Sequence, residues 1–516
     1  MANIIGLKGF NPSSGTARLF AAYGNDVVNV AAATGYGLNI GSNDMEFENF
    51  LDRVFLQNNS VTPKTYSTST NVWTQEYVGR TPISKFIKKY KSRLYLGYCG
   101  FVAPQAPLDT GSSAIAFPSR VFYSDLFQGN TLTWGIEWGR NGATYAGLKI
   151  FEVTTTGGTL VEDFKARNIE VGDSLFITNG NVQLTSDKPY LITKVDSAYR
   201  MTVDREFPVT ATSQQYWVSS NWFDVAADDG DVITGFGENS NRLLIFKLMS
   251  LWFYTGSQLK QVNGALGTSY NRSIINDRYG NTYYFHGSDP KITGIYKYNG
   301  VSSVKISKPI DPFIAGMAVG SYDNVIAWAE GNELRWYLVD LSATNLIEAM
   351  TNAVATHNVD TGTWSVDPIA DIITASTTWR TGNEEDTFLG TSDDEVLQAD
   401  DGNSFNTANI RSRLQTKVYY PAGSEIICEF PYVQVIARNA RGVRLKYRLW
   451  DNPTDIDADF TALGEISDDK TEFPLSPSHF TASGIEFLFD ELSTVEADWY
   501  IEKISVFYRP IRTRIL

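Results

Sequence analysis

Six short apolar runs of one kind recur along the chain and constrain its fold more than any other feature. Each has a polar lead-in, then three to five apolar or aromatic residues, then a turn signal. The six runs are ARLFAAY at 17–23, DRVFLQ at 52–57, RLYLGY at 93–98, RLLIF at 242–246, NTYYFHG at 281–287 and ELRWYLV at 333–339. Runs of this length between turns favour strands buried on both faces. Because they repeat every few tens of residues, they predict radially arranged sheets, that is, a β-propeller.

Composition agrees with a large all-β protein. The chain has 516 residues, enough for two or three domains, and 13% of them are aromatic, which favours sheet over helix. No apolar run reaches the roughly 18 residues needed to span a bilayer. The N-terminus also lacks the pattern of a signal peptide, so we expect no membrane segment. Cys99 and Cys428 are the only cysteines, which rules out a disulfide framework and indicates a reducing site of synthesis.

The excess of acidic over basic residues limits the kinds of partner that the protein can bind. The formal net charge is −15 and the sequence pI is about 4.8. A general nucleic-acid-binding protein needs a basic face to neutralise phosphates, so the charge argues against that class. Solubility alone explains an acidic surface, and such a surface also suits a wall past which DNA slides without sticking.

The strand patterns divide the chain into four predicted segments. We expect an irregular β-propeller of about six blades, interrupted by a small β-barrel and followed by a β-sandwich with period-two alternation. The predicted segments are 1–147 (propeller, first part), 148–222 (inserted barrel), 223–410 (propeller, second part) and 411–516 (C-terminal sandwich). The six propeller units begin with residues 15–75, and the first strand can also complete the last sheet, so the number of blades is open by one.

Motifs for catalysis and for cofactors are absent from the sequence. His286, His357 and His479 lie in different units without a companion at ligand spacing, so we predict no metal site. The acidic pair Asp393 and Asp394 lies in a cluster without the order of a calcium loop. Nucleophile elbows and phosphate-binding loops are missing as well. We therefore predict a protein without enzymatic activity or cofactor, although glycoside hydrolysis needs only two carboxylates and stays open.

The C-terminal tail is basic in an otherwise acidic chain. Arg509, Arg512 and Arg514 follow one another closely near the end of the sequence. One interpretation is a frayed and solvated end. The other is an intersubunit arm that docks on an acidic neighbouring subunit, and the sequence does not choose between the two.

Several segments, in this order, resemble a known family. They are KSRLYLG at 91–97, PSRVFYSD at 118–125, DGDVITG at 229–235, NRLLIFK at 241–247, GIYKYNG at 294–300 and VKISKPI at 304–310. Their succession resembles the tail nozzle, or packaged-DNA-stabilisation, proteins of short-tailed bacteriophages. The resemblance covers about residues 50–135 and 225–315, which is less than half of the chain, and it excludes the predicted barrel and sandwich.

The resemblance implies a structural virion protein, made in the host cytoplasm and located in the tail. It implies a homo-oligomeric ring, six copies around the tail axis, next to the portal or its adaptor and other tail proteins. The ring would form part of the conduit that holds and releases the genome, with transient and non-specific passage of DNA. Two alternatives remain: a receptor-binding or glycan-degrading tail protein, whose aromatic strands would stack on sugars, and a cellular propeller that serves as an interaction scaffold.

Overall fold

In the computed structural model the protein is almost entirely β-sheet, as predicted, and folds as two compact units. The first unit comprises Met1–Ala349, His357–Gly362 and Ile372–Ala399, and the second comprises Met350–Thr356, Thr363–Asp371 and Asp400–Leu516. The structure describes residues 3–13, 16–40, 44–58, 63–75, 82–101, 115–125, 134–153, 164–165, 168–177, 188–341, 351–369, 371–381, 384–399, 404–405, 408–409, 413–450, 460–466, 470–475, 481–491 and 499–513.

Three antiparallel sheets open the first unit. The first sheet contains β1 (Ile4–Phe10), β2 (Arg18–Tyr23), β3 (Asp26–Asn29) and β4 (Thr34–Gly35). The second contains β5 (Glu46–Phe50), β6 (Arg53–Gln57), β7 (Lys64–Ser67) and β8 (Val72–Gln75). The third begins with β9 (Ile83–Tyr90), β10 (Arg93–Phe101) and β11 (Ile115–Tyr123). Residues 15–75, expected as one repeat unit, therefore lie in two sheets.

A closed six-stranded barrel interrupts the third sheet. Its strands are β12 (Ile136–Thr144), β13 (Ile150–Val153), β14 (Ser174–Ile177), β15 (Tyr190–Ser197), β16 (Arg200–Val203) and β17 (Ala211–Ser219), in the order β12-β13-β16-β15-β14-β17. The chain then returns with β18 (Trp222–Asp224), which pairs with β11. The barrel thus begins before the expected boundary at residue 148. Phe176 and Trp217 from the barrel share an apolar core with Phe122 and Leu96 of the third sheet, which joins the two bodies by packing.

Further sheets complete the first unit. The fourth contains β19 (Ile233–Asn239), β20 (Arg242–Lys247), β21 (Leu251–Tyr254) and β22 (Leu259–Gln261), and the fifth contains β23 (Ile275–Asn276), β24 (Thr282–His286), β25 (Gly294–Tyr298) and β26 (Ser303–Lys305). The sixth begins with the paired strands β27 (Ile326–Glu330) and β28 (Glu333–Leu338). After β29 (Ala353–Asn358) and β30 (Trp364–Pro368), the seventh contains β31 (Ile373–Thr381), β32 (Glu384–Thr391) and β33 (Val396–Gln398).

Helical turns are short and lie between sheets. The described α-helix is α1 (Asp311–Ala315). The 3₁₀ turns are Val30–Ala32, Ala227–Asp229, Asn271–Ser273, Lys308–Ile310 and Val319–Asn324. Across the described residues, no helix has the length and apolar character needed to cross a membrane.

The first strands of the seven sheets contact one another in a closed succession. Strand β1 contacts β5, which contacts β9, and the series continues through β19, β23, β27 and β31 back to β1. At the closing point the backbone N–H of Gly9 donates to Thr377 Oγ1 at 3.2 Å. Side chains of Ile4, Leu7 and Ala375 pack together there. The two ends of the series are therefore joined by packing and a hydrogen bond.

The six apolar runs of the sequence are the second strands of the first six sheets, β2, β6, β10, β20, β24 and β28. Strand β20 shows why they are continuously apolar. Leu243 and Ile245 pack into the core shared with the third sheet, whereas Leu244 and Phe246 pack into the core shared with the fifth. Because side chains alternate along a strand, a sheet with a neighbour on each face must be apolar at every position of this strand.

The second unit contains two antiparallel sheets around one core. Its strands include β34 (Ser404–Phe405), β35 (Ala408–Asn409), β36 (Arg413–Gln415), β37 (Ile426–Arg438), β38 (Val443–Trp450), β39 (Thr461–Glu465), β40 (Lys470–Pro474), β41 (Thr481–Ala482), β42 (Gly484–Glu491) and β43 (Tyr500–Thr513). One sheet has the order β36-β42-β38-β39, and the other joins β40, β41 and β43 to β37. Val433 and Val435 from the second sheet meet Leu445 and Phe487 from the first in the core.

Replacement of Gly9 by alanine tests the closing contact. A Cβ at Gly9 would lie 2.5 Å from Cβ of Trp379 on β31, an atom that cannot move without its backbone. We expect Gly9→Ala to lower the free energy of unfolding by about 1–3 kcal/mol, as overpacking does. Gly320→Ala is the matched control, because a Cβ there meets nothing within 4 Å. Urea denaturation measures both, and equal stability of the two variants would contradict the proposed contact.

Candidate functional site

A polar cavity lies where the first strands of the seven sheets come together. Its volume is about 240 Å³, and residues from β1, β5, β9, β19, β27 and β31 and from the segment before β23 line it. The charged lining residues are Lys8, Glu46, Glu48, Lys88 and Arg272. Ligand pockets usually measure roughly 300–1,000 Å³ and are mostly apolar. This cavity is smaller and more polar than that.

Arg272 connects three sheets from the wall of this cavity. It lies in the turn Asn271–Ser273, and its side chain is 11% exposed. The guanidinium donates Nη1–H to the carbonyl oxygen of Thr374 at 2.6 Å and Nη2–H to that of Met45 at 3.1 Å. A further Nη2–H bond goes to the carbonyl oxygen of Ile5. One side chain thus holds the beginnings of β1, β5 and β31 together.

Backbone irregularities make two of these carbonyl groups available. The register of β1 against β2 shifts between Ile4 and Gly6, and that of β31 against β32 shifts between Ile373 and Ala375. The residue inside each shift, Ile5 or Thr374, is therefore unpaired in its ladder. A buried carbonyl without a partner is costly, and the guanidinium supplies a donor to that of Thr374. The carbonyl oxygen of Ile5 accepts the backbone N–H of Met45 at 2.9 Å and the guanidinium as a second donor.

Carboxylates balance the charge of Arg272. Nε of Arg272 lies 3.9 Å from Oε1 of Glu46, and Nη1 lies 3.8 Å from Oδ1 of Asp44. Asn271 Nδ2 donates to Glu46 Oε2 at 3.0 Å. Burial raises the pKa of Glu46 above its ordinary value, while Arg272 and the Asn271 bond oppose that rise. The hydroxyl of Tyr270 donates to Asp44 at 2.6 Å, and burial raises the pKa of that tyrosine.

Three of the segments that carry the family resemblance meet in a second polar cluster. Arg120 donates Nε–H and Nη2–H to the two oxygens of Asp224 at 2.7 and 2.9 Å. Its guanidinium also lies over the ring of Trp222, 4.3 Å from the centroid. Ser119 Oγ donates to the carbonyl oxygen of Asp231 at 2.8 Å. These contacts fasten β11 to β18 and to the start of β19, where the chain leaves the barrel for the fourth sheet.

Lys247 completes this cluster from a fully buried position. Its side chain is 0% exposed, and Nζ donates to the carbonyl oxygens of Val225 and Ala226 at 3.0 and 3.1 Å and to Asp229. The carboxylate of Asp231 accepts the backbone N–H groups of Leu248 and Met249. Asp229 and Asp231 of DGDVITG and Lys247 of NRLLIFK therefore bind one another and the backbone.

The two histidines that the structure describes, His286 and His357, have separate partners. His286 is buried, its Nδ1 lies 3.1 Å from the carbonyl oxygen of Gly267, and its Nε2 lies 2.7 Å from Ser288 Oγ. Burial lowers the pKa of His286, which favours the neutral ring. His357 is buried beside the ring of Tyr283. His479 lies outside the described residues.

Acidic and thiol groups likewise form no metal centre in the described part of the chain. Asp393 and Asp394 are exposed in the turn between β32 and β33. Cys99 and Cys428 are buried apart from each other, and burial raises the pKa of the Cys99 thiol. Searching the described residues finds no group of three His, Cys, Asp or Glu side chains placed to hold a metal ion.

The C-terminal arginines lie on or just after the last strand. Arg509 on β43 forms an exposed ion pair with Glu429 of β37. Arg512 faces Ile427 in the ladder of the same two strands. Arg514 lies outside the described residues. The segment is thus a paired strand through Thr513, and its contact with another subunit stays a prediction.

Sequence reasoning missed Arg272 and Glu46. Neither residue lies in an apolar run. Glu46 lies on the first strand of the second sheet, and Arg272 contacts the first strands of other sheets. A signal was present nonetheless: pairs of β-branched residues such as Ile4-Ile5, Val232-Ile233 and Ile372-Ile373 stand at the beginning of these strands. A buried arginine just before the pair Ile274-Ile275 marks the same position in the fifth sheet.

Comparisons with known proteins assign no family. No family model matches the sequence, and no curated protein matches it. Among solved structures, the chain is similar to Sqt1 of Saccharomyces cerevisiae with a TM-score of 0.34, 10% identity and coverage of 77% of this chain and 95% of that one. The computationally designed Ika8 protein is similar with a TM-score of 0.32 and 8% identity, and the match covers 77% of this chain and 96% of that one. Phage phi92 endosialidase is similar with a TM-score of 0.21 and 8% identity, and the match covers 75% of this chain and 50% of that one. TM-scores this low carry no argument about fold or function.

Replacement of Glu46 by glutamine tests the buried carboxylate. Because its pKa is raised in the folded protein above the ordinary 4.5, the folded state binds the proton more tightly than the unfolded state does. The contribution of Glu46 to stability therefore falls as the pH rises through its folded pKa. We expect Glu46→Gln to gain stability relative to the wild type as the pH rises above about 4.5, the ordinary value, through the raised folded pKa, measured by urea unfolding. A difference that is constant over this pH range would contradict the assignment.

Replacement of Lys247 by methionine tests the second cluster. The change removes the donor of the buried Val225 carbonyl and the cation that pairs with Asp229, while the Ala226 carbonyl keeps the N–H of Asp229. An orphaned buried acceptor alone costs roughly 1–3 kcal/mol. We expect Lys247→Met to lose about 2–4 kcal/mol of unfolding free energy. Lys260→Met is the control, because Lys260 is exposed on β22 of the same sheet. Thermal and urea unfolding measure both variants, and equal stability would show that Lys247 does not hold the segments together.

Proposed function

We propose that this chain is a structural protein of a phage tail and that several copies form a ring belonging to the DNA conduit. In this proposal the larger unit is an irregular β-propeller whose blades are the seven sheets. The closed succession of first strands supports this architecture. The barrel and the second unit would add surface for assembly.

The use of Arg272 is the observation that carries the proposal. A propeller enzyme or receptor would present reactive groups in the cavity between the first strands. Here the buried Arg272 guanidinium instead donates hydrogen bonds to backbone carbonyl oxygens of three sheets. The cluster of Arg120, Asp224 and Lys247 is used in the same way, and it lies in the segments that resemble the nozzle family. Polar groups whose hydrogen bonds are made to the protein's own backbone and side chains favour a rigid structural role over a catalytic one.

Charge and size bear on the place of the DNA. A cavity of about 240 Å³ excludes a duplex, whose major groove alone is roughly 12 Å wide. The bore would therefore lie between copies, with the acidic chains around it. A wall with a net charge of −15 per copy repels phosphates overall, so DNA would move along it without sticking.

Electron microscopy of the purified protein, alone and mixed with the portal protein of the same genome, tests the proposal. We expect closed rings, either alone or seated on the portal, and no turnover of oligosaccharide substrates. The charge-matched control is an unrelated acidic β-protein of similar size. Monomers under both conditions, together with saturable binding on a glycan array, would contradict the conduit and favour a receptor-binding protein.

A further inference from the structure

Strand β43 is a long edge with exposed apolar side chains. It runs from Tyr500 to Thr513 and pairs with β37, whose other side pairs with β40 and β41. Within the described residues β43 has no strand on its outer side. Tyr500 is 59% exposed and Ile511 is 50% exposed, and Phe507 and Tyr508 are exposed as well.

Such an edge is unusual for an isolated protein. Its row of backbone N–H and C=O groups is a template for another strand, and proteins normally cover or shorten it. Here the strand has 14 residues. Its protective residue types are the charged residues Glu502, Lys503, Arg509 and Arg512 and the proline Pro510, which lacks the N–H that a new ladder would need at that point. The stretch 500–509 remains usable for pairing.

The charge of this edge is opposite to that of the chain. Residues 500–516 contain four basic residues and one acidic residue, whereas the whole chain has a net charge of −15. Arg509 and Lys503 are exposed on the described strand. A second copy of this chain, acidic as a whole, is therefore a partner of complementary charge for this edge, and a head-to-tail contact between different surfaces is the kind that closes rings.

We propose that the outer edge of β43, over residues 500–509, pairs with a strand of a second copy of this chain. The backbone ladder would give affinity, and the exposed apolar side chains would be covered by the neighbour. The inference rests on the proposed ring, and it names the surface that builds it. It also turns the predicted arm into a strand edge that is formed before assembly.

The double variant Tyr500→Lys/Tyr508→Lys tests the edge, because both residues lie within the stretch 500–509. Both side chains are exposed, so the fold should be retained, while added lysines block edge pairing. We expect the concentration for half-assembly, from analytical ultracentrifugation, to rise at least about tenfold. Val301→Lys, at an 84% exposed site on the hairpin between β25 and β26, is the matched control and should assemble like the wild type. Thermal unfolding verifies that both variants are folded.

The outcomes separate this inference from the proposed function. If the wild type forms rings and the double variant forms them equally well, the edge proposal is wrong and the ring stands. If the wild type stays monomeric at every concentration and with the portal, both are wrong. If the variant forms rings but loses a different tail protein, that protein is the occupant and the edge proposal is again wrong. Hydrogen exchange should show that the amides of residues 500–509 that do not bond to β37 become protected only after assembly.

Discussion

The burial of each second strand between two cores is the constraint on which the first unit depends. In β10, Tyr95 packs toward the fourth sheet, while Leu94 and Leu96 pack toward the second sheet and the barrel. In β6, Phe55 belongs to that same core with the third sheet, while Val54 and Leu56 face the first sheet. Each sheet therefore needs both neighbours to cover its faces, and a sheet removed from the series would expose two apolar surfaces.

Because the cores between the sheets are apolar, a few buried charged side chains make the polar contacts between these strands. The first strands converge on a polar cavity, and their register shifts expose carbonyl groups that the cores cannot satisfy. Arg272 satisfies them, and Glu46 and Asp44 balance its charge. Where the chain returns from the barrel, Lys247 donates to backbone carbonyl groups and Arg120 binds the carboxylate of Asp224. The charged residues of the interior thus stabilise the sheets, which directs the search for function to outer surfaces.

The sequence predicted the second strands, which are buried on both faces, and it missed the first strands, which are not continuously apolar. The apolar runs identify second strands because every position there is apolar. First strands mix glycine, charge and apolar residues, as in IIGLKGF of β1, so the run at 17–23 and the run at 52–57 were placed in one unit. The seventh sheet escaped the pattern because its second strand begins EEDT. The pair Ile274-Ile275 after Arg272 indicates only the start of a strand, and the contacts of Arg272 are with backbone atoms far away in sequence, which residue types do not reveal.

Hydrogen exchange measured by mass spectrometry on the monomeric chain tests the central claim most directly. If each second strand is held by two neighbouring sheets, amides of β2, β6, β10, β20, β24 and β28 should exchange slowly and at a common rate set by global unfolding. Hairpin tips such as that at Val301 should exchange quickly. Rapid exchange of any one of these six strands, while the others stay protected, would show that its sheet opens alone and would contradict the account.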